Sequence, residues 1–367
     1  MNRPVVPRRL RLACALLPAL FALPLAAQPM FVEPCHELED DRRRLACYDR
    51  ASGRIPAAPP AAVAAPATMP PAGSPAAAGA VTGGTASAAQ ARPPQLRTSL
   101  LGARWGLDAW DDSPNFNLRL HNPNYFLFAR YSNKVNNDPY TPIAEAANED
   151  LNLDQTEVKF GLSLKMRLWN TEDRKWAVWA AYTQQNNWQV YNDSISRPFR
   201  ETNYSPEVIV TYKPDLEWGD GWRWRVLNMA FIHQSNGRAD PLSRSWNRLY
   251  AQFGIEKNDF AMYVRPWWRI PESSADDDNP DITDFMGYGD VTAFYKWNNH
   301  AFTLMGRGNI NKGKGAAQFD WTFPLPIKGA GPLRGYLQVF SGYGESLIDY
   351  NFNQTTIGIG FSVNDIL

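Results

Sequence analysis

The stretch from Glu157 to Trp169, EVKFGLSLKMRLW, alternates without a break. Successive side chains of an extended strand point to opposite sides. Val158, Phe160, Leu162, Leu164, Met166 and Leu168 therefore share one face, and Lys159, Gly161, Ser163, Lys165 and Arg167 the other. A strand this long, aliphatic on one side and cationic on the other, suits a wall between hydrocarbon and a polar interior. Near the end of the sequence the pattern returns: Ile357, Ile359, Phe361 and Val363 alternate with Thr356, Gly358, Gly360 and Ser362. A closing strand of a barrel is expected to look like this, because a closed sheet leaves no unpaired edge.

The expected fold class is all-β, a transmembrane antiparallel barrel. Turn-rich segments such as 136–139 (NNDP) and 276–280 (DDDNP) separate the alternating runs. A strand of about 10 residues with its connection takes roughly 20–25 residues, so residues 98–367 accommodate 10 to 14 strands, with 12 the central expectation. A soluble β-sandwich or propeller is the competing architecture. Aromatic residues favour the barrel, whose interface girdles consume Trp and Tyr: they make up 13% of the chain, and all 14 Trp lie between Trp105 and Trp321. The chain is polar on average, which excludes a bundle of membrane helices, each needing about 20 apolar residues. Thirty-seven basic and 37 acidic residues give no net charge, which argues against a nucleic-acid partner.

The first hundred residues are a different polymer. Residues 1–27 carry Arg8, Arg9 and Arg11 ahead of a short apolar run ending in Ala26-Ala27, the pattern of a cleaved secretory signal. A retained anchor is the alternative, disfavoured by Pro18 and Pro24. Residues 28–51 hold Cys35 and Cys47, expected to pair as a disulfide in an oxidising compartment. A metal site there would need more ligands than His36 and the nearby carboxylates readily supply. Residues 52–97 contain 16 Ala, 9 Pro and no aromatic residue, so they are expected to be a disordered or extended linker.

The informative stretch is 226–255, VLNMAFIHQSNGRADPLSRSWNRLYAQFGI. By parity, His233 and Ser235 share a face with Leu227, Met229 and Phe231. After the turn, Asn247 is in register with Leu249, Phe253 and Ile255, while Arg248, Tyr250 and Gln252 point the other way. Three polar residues thus fall on the lipid-facing side of neighbouring strands. Unpaired polar groups beside hydrocarbon cost of order 2–7 kcal/mol, so these should bond to one another. A Ser–His–Asn set does so naturally and is also the logic of nucleophilic acyl transfer: Ser235 attacks, His233 is the base, and Asn247 fixes its tautomer. A neutral Asn avoids a carboxylate near the bilayer. The plainer reading is an interfacial His beside an ordinary Ser-Asn-Gly turn.

Five blocks carry a resemblance. They are 198–204 (PFRETNY), 233–238 (HQSNGR), 240–250 (DPLSRSWNRLY), 278–283 (DNPDIT) and 341–354 (SGYGESLIDYNFNQ). In this order they resemble the outer-membrane phospholipase A family. The resemblance implies a 12-stranded barrel in the bacterial outer membrane and calcium-dependent hydrolysis of acyl esters of glycerophospholipids, at either acyl position and on lysophospholipids. It also implies activation by homodimerisation. It gives Ser235, His233 and Asn247 the same roles as the parity argument and makes the Gly237 amide an oxyanion donor. By the same match the Arg238 carbonyl and Ser243 hydroxyl hold a catalytic Ca2+ at the dimer interface. The Ser196 carbonyl is added from the neighbouring subunit, Asp240 and Asp278 mark a second calcium position, and Gln184 joins subunits across the membrane-embedded dimer interface. Gln234 stands where the family pattern has Asp; its side chain is expected to face the lumen and to matter little.

Two other functions stay in view. A passive channel or structural barrel would use the outward polar residues only for subunit contact, although a narrow lumen filled by Lys165, Arg167, Arg248 and Gln252 opposes it. An esterase acting on lipid A would use similar chemistry. The N-terminal segment, outside the resemblance and expected to lie in the periplasm, is open as a spacer or as a binder of a periplasmic partner or peptidoglycan.

Overall fold

The structure is a computed structural model that describes Asp40 and residues 99–108, 111, 113–142, 151–274, 276–327 and 332–363. The expected signal, cysteine pair and linker lie outside the described residues, Asp40 apart.

Among the described residues the chain forms fourteen antiparallel strands and two short α-helices. In order they are α1 (Leu100–Trp105), β1 (Leu118–Leu120), β2 (Tyr125–Ser132), β3 (Thr156–Asn170), β4 (Trp176–Trp188), β5 (Phe199–Tyr212), β6 (Leu216–Trp218), β7 (Trp222–Ser235) and β8 (Ser245–Lys257). There follow β9 (Phe260–Arg269), α2 (Ile282–Met286), β10 (Gly289–Trp297), β11 (His300–Asn309), β12 (Lys314–Pro324), β13 (Arg334–Tyr343) and β14 (Asn353–Ser362). The three-residue strands β1 and β6 only flank β3 and β7; the other twelve pair in sequence order. Pairing of β14 with β2 and of β3 with β4 leaves no edge, and the sheet closes as a twelve-stranded barrel. The shortest turns, the two-residue 258–259 and 298–299, lie at one rim, and the longest connections, 133–155 and 270–288, at the other.

The alternation of β3 survives in three dimensions. Lys159, Ser163, Lys165 and Arg167 are buried in the lumen, whereas Leu162 faces out. One departure is a bulge between Arg167 and Trp169 that leaves Leu168 out of the β3–β4 register and turns Trp169 outward. In β14, Ile357, Ile359 and Phe361 face outward while Thr356 and Ser362 are buried. Trp176, Tyr212, Trp222, Phe260, Trp297, His300 and Trp321 gather near the short-turn rim in tilted, stacked and edge-on contacts, as an interface girdle requires.

The lumen is filled from both ends. At the short-turn rim α1 plugs it. Ser99 caps the helix by accepting from the Gly102 N–H at 2.8 Å and donates to Glu256 at 2.7 Å. Trp105 donates to the Tyr263 hydroxyl at 2.8 Å, and the Lys165 ammonium lies 3.5 Å from its ring centre. At the long-loop rim, residues 344–352 fold inward. Glu345 pairs with Arg130 and with Lys159, the latter at 2.9 Å, and Asp349 pairs with Arg200 at 2.8 Å. What remains includes a polar cavity of about 220 Å³ bordered by Gln185, Gln234, Arg248, Arg307 and Glu345.

Candidate active site

β7 and β8 are adjacent, and their register sets His233 directly opposite Asn247 and Ser235 directly opposite Ser245. The His233 Nδ1 and Asn247 Oδ1 atoms are 2.9 Å apart. Both residues are half-buried on the outer face, in line with the exposed Phe231 and Leu249 of the same strands. Ser235 lies two residues beyond His233 on that face, at the strand end. Among the described contacts its hydroxyl makes no hydrogen bond, so the structure joins His and Asn and leaves the Ser–His step open; such bonds often shorten only around a substrate. Gln234 points inward, its Oε1 accepting from Trp246 at 2.9 Å and Arg248 at 2.8 Å.

Residues 236–244 between the two strands are built around Asn236. Its Oδ1 accepts from the Arg244 N–H at 2.9 Å, and its Nδ2 donates to the Leu242 carbonyl at 2.8 Å. Gly237 next to it has φ +64°, and a Cβ there would approach the Tyr204 ring at 3.1 Å. Position 237 thus has both a backbone conformation and a contact that favour glycine. Arg238 reaches back to donate to the Arg200 carbonyl and lies 3.6 Å from Glu201, which pins the loop at the residue whose carbonyl is the expected metal ligand.

The loop from β9 to α2 completes the neighbourhood. Ser243 donates to Asp278 at 2.6 Å, and the Ser245 N–H donates to Asn279 at 3.0 Å. Asp240 is exposed and makes no described contact with Asp278. Among the described residues no group of three or more His, Cys, Asp or Glu side chains converges as a metal cage. What does meet, the Ser243 hydroxyl against the Asp278 carboxylate, is hard oxygen of the kind calcium takes. Ser196 and Arg197 both have positive φ (60° and 55°) in the loop between β4 and β5.

Gln184 lies on the outer face of β4, accepting from the Tyr182 hydroxyl at 2.9 Å and donating to Asn186 at 2.8 Å. Its register partner is Tyr204, whose own partner across β5 and β7 is Ser235. One row across the outer wall therefore runs from Gln184 to the serine.

Sequence reasoning missed Glu272, whose Oε1 accepts from the Asn247 Nδ2 at 2.8 Å. Burial lifts its carboxyl above the ordinary value, an effect the Asn247 bond and Arg269 oppose. It also missed Asn236, which bonds within its own loop and donates from Nδ2 to Glu201 of β5 at 3.4 Å. No spacing rule marks either residue.

Comparison with known proteins is decisive at this point. The family profile described as Phospholipase A1 matches residues 101–363. The chain belongs to the phospholipase A1 family. It is 40% identical over 258 residues to Phospholipase A1 of Escherichia coli K12, covering 70% of this chain and 84% of that one. It is 39% identical over 275 residues to a putative phospholipase A1 of Neisseria meningitidis, covering 72% and 70%. Among solved structures, the Salmonella typhi outer membrane phospholipase, a dimer with bound calcium, superposes with a TM-score of 0.64 at 38% identity over 74% of this chain and all of that one. The Escherichia coli outer membrane phospholipase A gives 0.62 at 38% identity, over 68% of this chain and 95% of that one. Family and barrel together place the chain in the bacterial outer membrane.

Proposed function

We propose that this phospholipase A1 family member is a calcium-dependent outer-membrane phospholipase that cleaves acyl esters of glycerophospholipids with Ser235, His233 and Asn247. The observation that carries the reading is the His233–Asn247 bond on the outward face of adjacent strands, with Ser235 on the same face. A hydrolase of lipid needs its nucleophile where lipid is.

Asn247 presents Oδ1 to the imidazole, and an amide oxygen can only accept a hydrogen bond. Nδ1 of His233 therefore carries the proton and Nε2 is the free base. As the Ser235 Oγ attacks the ester carbonyl, Nε2 takes its proton, and Asn247 steadies the imidazolium through Nδ1–H. The carbonyl oxygen becomes an oxyanion toward the Gly237 N–H. Collapse expels the glycerol oxygen, which receives the proton from His233, and leaves an acyl ester on Ser235. Water deprotonated by His233 then hydrolyses that ester and releases the fatty acid. Either acyl chain of a phospholipid, or the single chain of a lysophospholipid, presents the same ester.

Calcium bound by the Arg238 carbonyl and Ser243 hydroxyl would supply positive charge for the oxyanion. The Ser196 carbonyl of a second copy would complete that set in a homodimer, and Asp240 with Asp278 would form a second position. Gln184, in the row that leads to Ser235, suits a polar contact between two outer walls. The lumen plugged by α1 and by residues 344–352 supports this reading over a channel.

Fatty-acid release from defined phospholipid in mixed micelles tests it. Activity should fall to background in Ser235→Ala and in the wild type with chelator. An active Ser235→Ala would refute the mechanism, and release from lipid A in place of phospholipid would move the substrate class.

A further inference from the structure

Asn247 has one acceptor and one two-hydrogen donor on its amide, and the structure accounts for both ends. Its Oδ1 meets His233, and its Nδ2 donates to Glu272 Oε1 at 2.8 Å. Glu272 comes from outside the β7–β8 pair, three residues past the end of β9. It is brought there by the backbone: the Ile270 N–H donates to the Asn247 carbonyl at 2.8 Å, and Pro271 leads from that anchor to Glu272. Asn247 is thus held at its main chain and at its side chain by the same three-residue segment. The Glu272 side chain is only 16% exposed, and its nearest cationic group, the Arg269 guanidinium, is 3.8 Å from the other carboxylate oxygen. Arg269 is itself committed to Asp277 at 2.5 Å and to the Pro280 carbonyl at 3.0 Å.

An ionised carboxylate accepts hydrogen bonds and donates none. Facing it, an amide can present only its NH2 group; the flipped amide would set two acceptors against each other. We propose that Glu272 is a positioning residue that locks the Asn247 amide, and through it the reactive tautomer of His233. With the NH2 group held by Glu272, Oδ1 must face the imidazole, Nδ1 must carry the proton, and Nε2 is left as the base for Ser235. The carboxylate also polarises the amide toward its oxygen, since linked hydrogen bonds strengthen one another. It thereby supports the imidazolium of the transition state from the rim loop, one group removed from the lipid-facing surface. The triad is in effect a chain of four, with the charge at its far end. This inference rests on the proposed phospholipase reading.

The test is a double-mutant cycle on phospholipid hydrolysis with purified full-length protein, folding of each variant being checked by its heat-dependent gel migration. Glu272→Ala should lower kcat about tenfold, the scale of one hydrogen bond to a charged group, with KM little changed. Glu272→Gln keeps an acceptor oxygen for the Asn247 amide but loses the charge and can also donate to a flipped amide, so it should recover only part of that loss. In an Asn247→Ala background, Glu272→Ala should change nothing further, because the group it acts through is gone. Unchanged activity in Glu272→Ala, no recovery by Glu272→Gln, or a full additional loss in the Asn247→Ala background would overturn the assignment. Wild type and Ser235→Ala run alongside. A wild type that releases no fatty acid defeats the phospholipase reading itself, whereas an active wild type with an indifferent Glu272 defeats only the positioning role.

Discussion

The inner and outer surfaces of one wall solve the burial of polar groups in opposite ways. Inside, full charges are concentrated and paired: Glu345 with Arg130 and Lys159, and Arg200 with Glu157 and Asp349 at 2.9 and 2.8 Å. Outside, around Ser235, the groups carried by the strands are an imidazole, an amide and hydroxyls, and the carboxylate that serves them sits in a loop. An uncompensated charge is expensive beside hydrocarbon and tolerable in a lumen that offers partners. The contrast separates duties. Inner charges hold the barrel and its plugs together, and outer neutral groups are free to do chemistry without costing the fold much when altered.

Substitutions on the two faces should therefore fail differently. The largest effect is expected for His233→Ala, which removes the proposed base: hydrolysis should drop by roughly 10⁴-fold or more, while unfolding in urea should be displaced by less than about 0.5 kcal/mol, as for other surface changes. Next, Glu345→Ala should destabilise the barrel by about 3–5 kcal/mol, because Arg130 and Lys159 are left buried without their shared partner. The same residue predicts a pH dependence. Burial alone would raise the Glu345 carboxyl, but Arg130 and Lys159 outweigh it and hold the group far below the ordinary carboxylate range. Its folded value is depressed, so its contribution is complete above the ordinary glutamate value near 4.5 and declines as the pH falls below it. Wild-type stability should fall on acidification and that of Glu345→Ala should fall less, which equilibrium unfolding at several pH values would reveal.

Smaller effects sharpen the comparison at the rim. Gly237→Ala meets a left-handed backbone and a 3.1 Å approach to Tyr204. It should lose about 1–2 kcal/mol of local stability and about tenfold or more in kcat, through displacement of the N–H proposed as the oxyanion donor. Gln234→Ala is the smallest. It lies between His233 and Ser235 in sequence but on the other side of the wall, where it accepts from Trp246 and Arg248. It should cost about 1 kcal/mol in stability and leave kcat within about twofold; a catalytic collapse there would break the division between faces.

Much of this was legible in the sequence, because a two-residue period is local information. Parity alone set His233, Ser235 and Asn247 outward and Gln234 inward, and it marked β14 as a wall strand. The register that brings His233 opposite Asn247 was less accessible. It depends on the nine-residue connection 236–244, whose shape is fixed by Asn236 and a left-handed Gly237. The plug α1 is six residues long, too short for a helical period to stand out, and it is stabilised by the distant Glu256 and Tyr263. Inward folding of residues 344–352 depends on partners on β2, β3 and β5 more than a hundred residues away. Glu272 reaches Asn247 only because Ile270 is already bonded to it.

In the proposed function an outward-facing neutral triad makes one serine, Ser235, nucleophilic. Labelling with a long-chain fluorophosphonate in detergent micelles, followed by peptide mapping, addresses it directly. A single adduct on Ser235 is expected, forming slowly or not at all in His233→Ala. An enzyme that hydrolyses phospholipid yet leaves Ser235 unlabelled, or that carries its adduct on another residue, would contradict it.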